Sequence, residues 1–250
     1  MSDPPAVDAQ SLSKQYGSTL AVDSLSLSID RSTVFGFLGP NGAGKTTTMR
    51  MLTGLVEPTS GTATVAGTAV EDRRDLVDHV GLLPEEPPLY TELTGREQLR
   101  FAADLRDMSW DSVADRALEL CDRLDLTEDL DRRADGYSKG MRQKTAFVQA
   151  VQHDPDVVFL DEPTSGLDPR AARTLRELIV DTADGATVFL STHILPVVEE
   201  IADEVGVLND GELVATGTPA TLVDRADDDG AETDLEDAFL ELTSREAAWD

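Results

Sequence analysis

A glycine-rich stretch holds the residues best suited to bind phosphate. The segment GPNGAGKTT, residues 39–47, fits the pattern G-x-x-x-x-G-K-S/T. In such a loop, glycines let backbone N–H groups curl around phosphate oxygens, the lysine reaches the β- and γ-phosphates, and the next hydroxyl can ligate Mg²⁺. We expect this segment to bind a nucleoside triphosphate, with Thr46 also on Mg²⁺, through Gly39, Pro40, Asn41, Gly42, Ala43, Gly44, Lys45, Thr46 and Thr47.

Acidic residues end a short apolar run further along the chain. VVFL at 157–160 leads directly into Asp161 and Glu162. A carboxylate at the carboxyl end of a parallel strand lies beside the phosphate loop, so we expect Asp161 to bind Mg²⁺ through water and Glu162 to deprotonate the attacking water. Loop solvation is the alternative role for two acids, and the upstream phosphate loop argues against it. His193, just after the next apolar run, is predicted to hydrogen-bond the γ-phosphate.

Buried strands must position these residues. TVFGFLG precedes the phosphate loop, and a helix is predicted from Lys45 to about Thr53. VVFL and TVFLST are nearly all apolar and are separated by a predicted helix at 169–182. This pattern is typical of a parallel sheet that is buried on both faces. Further strands are predicted at 19–30, near 61–70 and at 79–83.

Two other segments of the sequence have a different pattern of apolar and polar residues. Between 94 and 126, apolar residues recur at helical spacing, with Thr94 and Ser109 as predicted caps, which indicates a helical insert. Residues 224–234 form a predicted acidic linker, and an amphipathic helix follows. We therefore predict an ATP-binding domain at 6–223 with a helical subdomain at about 87–152, and an appendage at 224–250.

The composition limits the classes of partner. The chain has 49 Asp and Glu against 21 Lys and Arg, a net charge of -28, and no basic stripe, so nucleic acid is not an expected partner. The small number of lysines and the spread of Asp and Glu along the chain resemble the composition of proteins from a salt-loving archaeon. The single Cys121 rules out an internal disulfide. Because no stretch reaches the ~18 apolar residues of a membrane span, we expect a soluble chain.

Taken in order, five features resemble the ATP-binding subunit of an ABC transporter. They are Tyr16, the phosphate loop, LLPEEPPLY, YSKGM, and LDEPTSGLDP followed by His193. The resemblance covers roughly residues 6–216. It implies an α/β P-loop NTPase fold with a mostly parallel core sheet, an N-terminal antiparallel β subdomain and a helical insert. It also implies that Tyr16 stacks on the adenine of ATP.

The resemblance assigns roles to two further segments. It implies a head-to-tail dimer in which Ser138 and Gly140 of one subunit cap the ATP held by the other. The signature here departs from Leu-Ser-Gly-Gly-Gln at Tyr137, Lys139 and Met141. Glu85 stands where the family usually has a glutamine, and its oxygen is predicted to ligate Mg²⁺. Simple surface acidity is the alternative for Glu85.

The implied function is ATP hydrolysis that drives transport. The subunit would pair with itself or a relative and act on a separate membrane permease, as in ABC-2 type exporters, from the inner face of the cell membrane. Two alternatives remain open: a soluble ABC ATPase in cofactor assembly or macromolecular remodelling, and a nucleotide-gated binding module with little turnover.

Overall fold

The computed structural model describes residues 4–226 and 234–244. Its strands form two sheets, a six-stranded one in the order β10-β9-β3-β8-β7-β6 and a four-stranded one in the order β2-β1-β4-β5. The strand bounds are β1 Val7–Tyr16, β2 Thr19–Ile29, β3 Val34–Leu38, β4 Ser60–Val65, β5 Thr68–Ala69, β6 Val80–Leu83, β7 Val157–Asp161, β8 Thr187–Ser191, β9 Glu204–Asn209 and β10 Glu212–Gly217.

The six-stranded sheet is the scaffold of the site. All its neighbouring strands pair in parallel except β10, which pairs antiparallel with β9. Every residue of β3, β7 and β8 is buried. Their aromatic rings pack at centroid distances of 5.0 to 6.3 Å, involving Phe35, Phe37, Phe159 and Phe189. The predicted parallel sheet, buried on both faces, is confirmed.

The four-stranded sheet is antiparallel throughout and forms the predicted N-terminal subdomain. Its apolar side chains share one buried cluster with the aromatic residues of β3 and with α1, Lys45–Leu52. Ala43 of the phosphate loop and Met49 of α1 belong to this cluster, so both the loop and the helix that follows it pack against the antiparallel sheet.

The remaining helices are α2 Arg73–His79, α3 Gly95–Asp104, α4 Trp110–Arg123, α5 Lys139–Val151, α6 Pro169–Ala183, α7 Leu195–Ile201, α8 Pro219–Ala226 and α9 Leu235–Ser244. Helices α3, α4 and α5 form the helical insert. Thr94 caps α3 with a capping box to Glu97, as predicted. Ser109 is the N-cap residue of α4, as predicted, although its side chain makes no capping hydrogen bond.

Three helices, α2, α7 and α8, were not predicted, and α8 shortens the linker. Helix α2 has one buried residue, Leu76, and α8 continues to Ala226, three residues into the segment assigned to the acidic linker. Residues 227–233 of that linker, and 245–250 of the last predicted helix, lie outside the described residues. Helix α9 shares a buried cluster with α7, α8 and β9. The domain boundary at 223 stays a prediction.

In the part of the chain that the structure describes, no helix has the length and apolar character needed to cross a membrane.

Candidate functional site

The phosphate loop connects the end of β3 to the start of α1. Gly44 has φ 106°, and a Cβ there would overlap the carbonyl oxygen of Ala21, so the loop runs tightly against β2. Lys45 Nζ donates to the carbonyl oxygens of Gly39 at 2.6 Å and Pro40 at 3.1 Å. Burial lowers the pKa of Lys45, although nearby Glu162, Asp161 and Glu85 act in the opposite direction. The loop thus holds a partly desolvated cation.

A cavity of about 340 Å³ opens beside this loop. It brings together the loop, the acids after β7 and the histidine after β8, which the sequence predicted to lie close. Two of its residues, Ala21 and Ser165, were missed because neither has a side chain whose type suggests the chemistry. The lining residues are Ala21, Asn41, Gly42, Gly44, Lys45, Thr46, Thr47, Glu85, Asp161, Glu162, Ser165 and His193.

Thr46 and Asp161 are hydrogen-bonded to each other at one edge of the six-stranded sheet. The Thr46 hydroxyl donates to Asp161 Oδ2 at 2.9 Å, although the residues are far apart in the sequence. Thr46 is the second residue of α1 and Asp161 is the last residue of β7, so the parallel sheet brings both to the same edge. The pair offers a hydroxyl oxygen and a carboxylate on one side of the cavity.

Glu162 is buried at the end of β7 and is held by hydrogen bonds on both carboxylate oxygens. Oε1 accepts from the backbone N–H of His193 at 2.9 Å and lies 2.7 Å from His193 Nδ1. Oε2 accepts from the Thr192 hydroxyl at 2.9 Å. The Glu162 side chain is 10% exposed, whereas that of His193 is 61% exposed. Thr192 was not predicted from the sequence, because a hydroxyl next to His193 does not by itself indicate a functional residue.

The oxygen donors of the cavity suit a hard cation in part. Among the described residues, no group of three or more His, Cys, Asp or Glu side chains converges as a metal centre. Thr46, Asp161 and Glu85 nevertheless line one cavity, and Mg²⁺ prefers a few protein oxygens together with substrate phosphates. The donor set therefore fits Mg²⁺ bound with a nucleotide. The roles of these three residues on the metal stay predictions.

Comparison with known proteins gives the family. Residues 22–165, more than half of the 250, match the family described as ABC transporter. The chain belongs to the ABC transporter family. The predicted family and fold class are thereby confirmed.

Relatives in this family carry names that refer to ATP binding. The chain is 37% identical over 206 residues to the bacitracin transport ATP-binding protein BcrA of Bacillus licheniformis, covering 81% of this chain and 66% of the relative. It is 38% identical to the daunorubicin/doxorubicin resistance ATP-binding protein DrrA of Streptomyces peucetius, covering 87% of this chain and 66% of that relative. The match thus spans about two thirds of the length of these curated relatives.

A solved structure supports the same assignment. An ATP-binding subunit of an ABC transporter superimposes with a TM-score of 0.88 at 32% identity, and the match covers 95% of this chain and 99% of that one. The fold described above is therefore that of an ABC transporter ATP-binding subunit over nearly its whole length.

The family's signature segment, YSKGM at 137–141, leads into the start of α5. Ser138 caps α5 by accepting from the backbone N–H of Met141 at 3.2 Å, and within the described residues its hydroxyl donates to no acceptor. Gly140 packs beside Gly166, where there is little room for a side chain. Neither Ser138 nor Gly140 lines the cavity of its own chain. Their predicted contact with a partner's ATP stays a prediction.

Two basic residues near the signature, and the predicted adenine-stacking Tyr16, have local contacts. Lys139 Nζ donates to Ser165 Oγ at 3.0 Å, and Arg142 Nε donates to the carbonyl oxygen of Tyr137 at 3.3 Å. Tyr16 ends β1 at 47% exposure with the Lys14 ammonium 5.2 Å from its ring centre, and it does not line the cavity. Its stacking on adenine stays a prediction.

Proposed function

We propose that this chain is the ATP-hydrolysing subunit of an ABC transporter, and that it pairs with a second ATPase subunit and drives a separate membrane permease. The observation that carries the proposal is the placement of Glu162. This carboxylate lines the same cavity as Lys45, Thr46 and Asp161, and hydrogen bonds hold both of its oxygens. A base beside a phosphate loop is the arrangement that hydrolysis of a triphosphate requires.

In the proposed reaction, the loop N–H groups and Lys45 bind the phosphates of ATP. Glu162 orients a water molecule, accepts its proton, and leaves a hydroxide to attack the γ-phosphorus in line with the departing ADP oxygen. His193 holds Glu162 through Oε1 and hydrogen-bonds the γ-phosphate. Thr46, Asp161 and Glu85 would hold Mg²⁺, which neutralises phosphate charge when it is bound.

The second subunit follows from the position of the signature segment. Ser138 and Gly140 stand at the start of α5, outside the cavity of their own chain. The positive end of a helix and a hydroxyl proton suit an anion supplied by another subunit. ATP would therefore be enclosed by the phosphate loop of one subunit and the signature of the other.

Coupling to transport is supported by the names of the relatives. BcrA is named for bacitracin transport and DrrA for daunorubicin and doxorubicin resistance, which favours export. We infer that the chain binds a permease at the inner face of the cell membrane and that ATP-driven closure and opening of the ATPase pair moves the permease.

The first test uses Glu162→Gln, which keeps the shape of the base and removes its ability to accept a proton. Hydrolysis should fall by about 10² to 10⁴, while the Kd for ATP stays nearly unchanged. Light scattering at high KCl should show a dimer of this variant with Mg²⁺ and ATP, and a monomer with ADP. Lys45→Ala should instead weaken ATP binding, and Glu199→Gln, an exposed acid on α7, serves as the matched control.

Two outcomes would overturn the proposal. Near-normal turnover by Glu162→Gln would remove Glu162 as the base. A monomer under both nucleotides would remove the ATP-driven pairing on which the transport mechanism depends.

A further inference from the structure

We propose that Thr192 is a positioning residue for hydrolysis, which sets the orientation of the Glu162 carboxylate through its hydroxyl. This inference rests on the proposed function, because it assumes that Glu162 is the base. The Thr192 side chain is 1% exposed and does not line the cavity, so it acts on Glu162 and not on the nucleotide.

A glutamate carboxylate is poorly fixed by its own side chain. The last torsion of Glu joins sp³ and sp² carbons and is broad and roughly two-fold, so packing alone leaves the plane of the oxygens loosely defined. Here His193 holds Oε1 through its backbone N–H and faces it with Nδ1. Among the described residues, Thr192 is the one side chain that donates to Oε2. The two contacts together fix the plane of the carboxylate.

The direction of the Thr192 hydroxyl is itself determined. The backbone N–H of Ile194 donates to Thr192 Oγ1 at 3.1 Å, so this oxygen already serves as an acceptor. A hydroxyl carries one proton, and the Glu162 carboxylate at 2.9 Å is where that proton goes. The hydroxyl is thus a directed donor to Oε2.

The backbone around Thr192 ties this donor to the phosphate loop. The Thr192 N–H donates to the carbonyl oxygen of Phe37 at 3.3 Å, in the strand that leads into the loop. The Glu162 N–H donates to the carbonyl oxygen of Ser191 at 2.8 Å. Base, donor and phosphate loop are therefore connected through hydrogen bonds of the same sheet, which fixes Oε2 relative to the phosphate loop.

Glu162 also has a backbone that needs this support. Its φ is 48°, in the left-handed region that non-glycine residues seldom adopt. Such a conformation persists where surrounding contacts determine it. Losing the hydroxyl would free the carboxylate plane at a position where the backbone is already under strain.

The test compares Thr192→Val, which keeps the shape and removes the hydroxyl, with Thr192→Ser, which keeps the hydroxyl. In the full chain with Mg²⁺ and ATP, kcat of Thr192→Val should fall by about 10-fold or more, within the about 10²-fold that misplacing a reacting group can cost. KM and the Kd for ATP should change by less than about twofold, since Thr192 does not contact the nucleotide. Thr192→Ser should recover most of kcat.

A matched control separates positioning from folding. Thr187 is equally buried at the opposite end of β8, where its hydroxyl binds Ser32 N–H and the carbonyl oxygen of Asp30. Thr187→Val removes the same atoms at the first residue of β8, whereas Thr192 directly follows the last. The kcat of Thr187→Val should stay within about twofold of the wild type because distant sites are independent. Thermal unfolding of both variants measures the loss of stability.

A double variant gives a readout that a structural role would not produce. In a Glu162→Gln background, single-turnover hydrolysis of labelled ATP should be the same with and without Thr192→Val, because the base that Thr192 orients is absent. The inference is overturned if Thr192→Val keeps the wild-type kcat, if it raises kcat, if Ser fails to restore it, or if the losses multiply in the double variant. A wild-type chain without turnover, or a Glu162→Gln chain with full turnover, would instead overturn the proposed function.

Discussion

Three charged side chains of the site are buried: Lys45, Asp161 and Glu162. Charges of this kind are rarely buried unless they are paired or hydrogen-bonded. Here Lys45 is satisfied by loop carbonyls, Asp161 by Thr46, and Glu162 by Thr192 and His193. One cavity thus holds a cation and two anions, as expected for a site that binds a strongly charged substrate.

At the residue scale, Glu85 gives the sharpest departure from the family pattern. It follows β6 and lines the cavity together with Thr46 and Asp161. If Glu85 acts through an oxygen on Mg²⁺, Glu85→Gln keeps that oxygen and should change the ATPase rate by less than about tenfold, or 1.4 kcal/mol of barrier. Glu85→Ala removes it and should cost more. Because a carboxylate binds the ion more strongly than an amide, Glu85→Gln should also need more Mg²⁺ for half-maximal rate.

The measurement is the ATPase rate against Mg²⁺ concentration for the wild type and both variants. Glu92→Ala is the control, since Glu92 is a nearby exposed acid that lines neither this cavity nor the adjacent one, which Glu86 shares with Thr46 and Asp161. If Glu85→Ala, Glu85→Gln and the wild type behave alike, Glu85 is only surface acidity.

At the element scale, helix α5 links several parts of the molecule. Ser138 caps its start, where the signature lies. In its middle, Gln143 is fully buried and donates to the carbonyl oxygen of Glu162 at 3.3 Å. Just beyond its end, Gln152 donates to the carbonyl oxygen of Leu99 in α3 at 3.0 Å. One helix therefore connects the surface expected to meet a partner, the backbone of the base and the helical insert.

His153, two residues after α5, is buried, and we expect it to make the stability of this region depend on pH. Its Nε2 lies 3.3 Å from the carbonyl oxygen of Val80 in β6. Burial, and then the nearby Arg106 and Arg116 charges, lower the pKa of His153 from 6.5 to about 4. Between these values the unfolded chain binds a proton that the folded chain does not, so stability is lost as pH falls. At pH 5 the loss should be about 2 kcal/mol.

The check is urea unfolding of the wild type and His153→Gln at pH 7.5 and pH 5. Gln offers an N–H donor and does not titrate, and carboxylates that titrate in both proteins cancel in the difference. The wild type should lose more stability than the variant on acidification. An equal loss in both would show that His153 does not control this pH dependence.

Elements with a strong apolar pattern could be predicted from the sequence, and elements with a weak one could not. The apolar runs of β3, β7 and β8 have few alternatives to burial, so these strands, and the position of Asp161 and Glu162 at the edge of the sheet, could be predicted. Helix α2 has seven residues and one buried side chain, Leu76, which is too little periodicity to recognise. Thr192 could not be found because its role depends on the register of β7 against β8, which places it beside Glu162.

At the scale of the whole molecule, the feature with the largest expected effect on stability is the net negative charge of -28. The chain has 49 acidic and 21 basic residues, so even if every base paired with an acid, 28 acids would stay unpaired. Exposed ion pairs such as Arg173 with Glu177 contribute only about 0 to 1 kcal/mol each. We therefore expect self-repulsion among the unpaired acids to outweigh surface pairing, so that the folded state depends on screening by salt.

We expect the urea midpoint of unfolding to rise with KCl, mainly between 0.1 and 1 M, where the Debye length falls from about 10 Å to about 3 Å. A variant with less charge tests the cause: Asp115→Asn, Glu119→Gln and Glu199→Gln combined remove three exposed acids. This variant should be more stable than the wild type at 0.1 M KCl and should gain less from added salt, because it has less repulsion to screen. If both proteins gain equally, salt acts by exclusion from the protein surface rather than by screening. A midpoint that falls with KCl would mean that ion pairs, and not repulsion, dominate the surface of this chain.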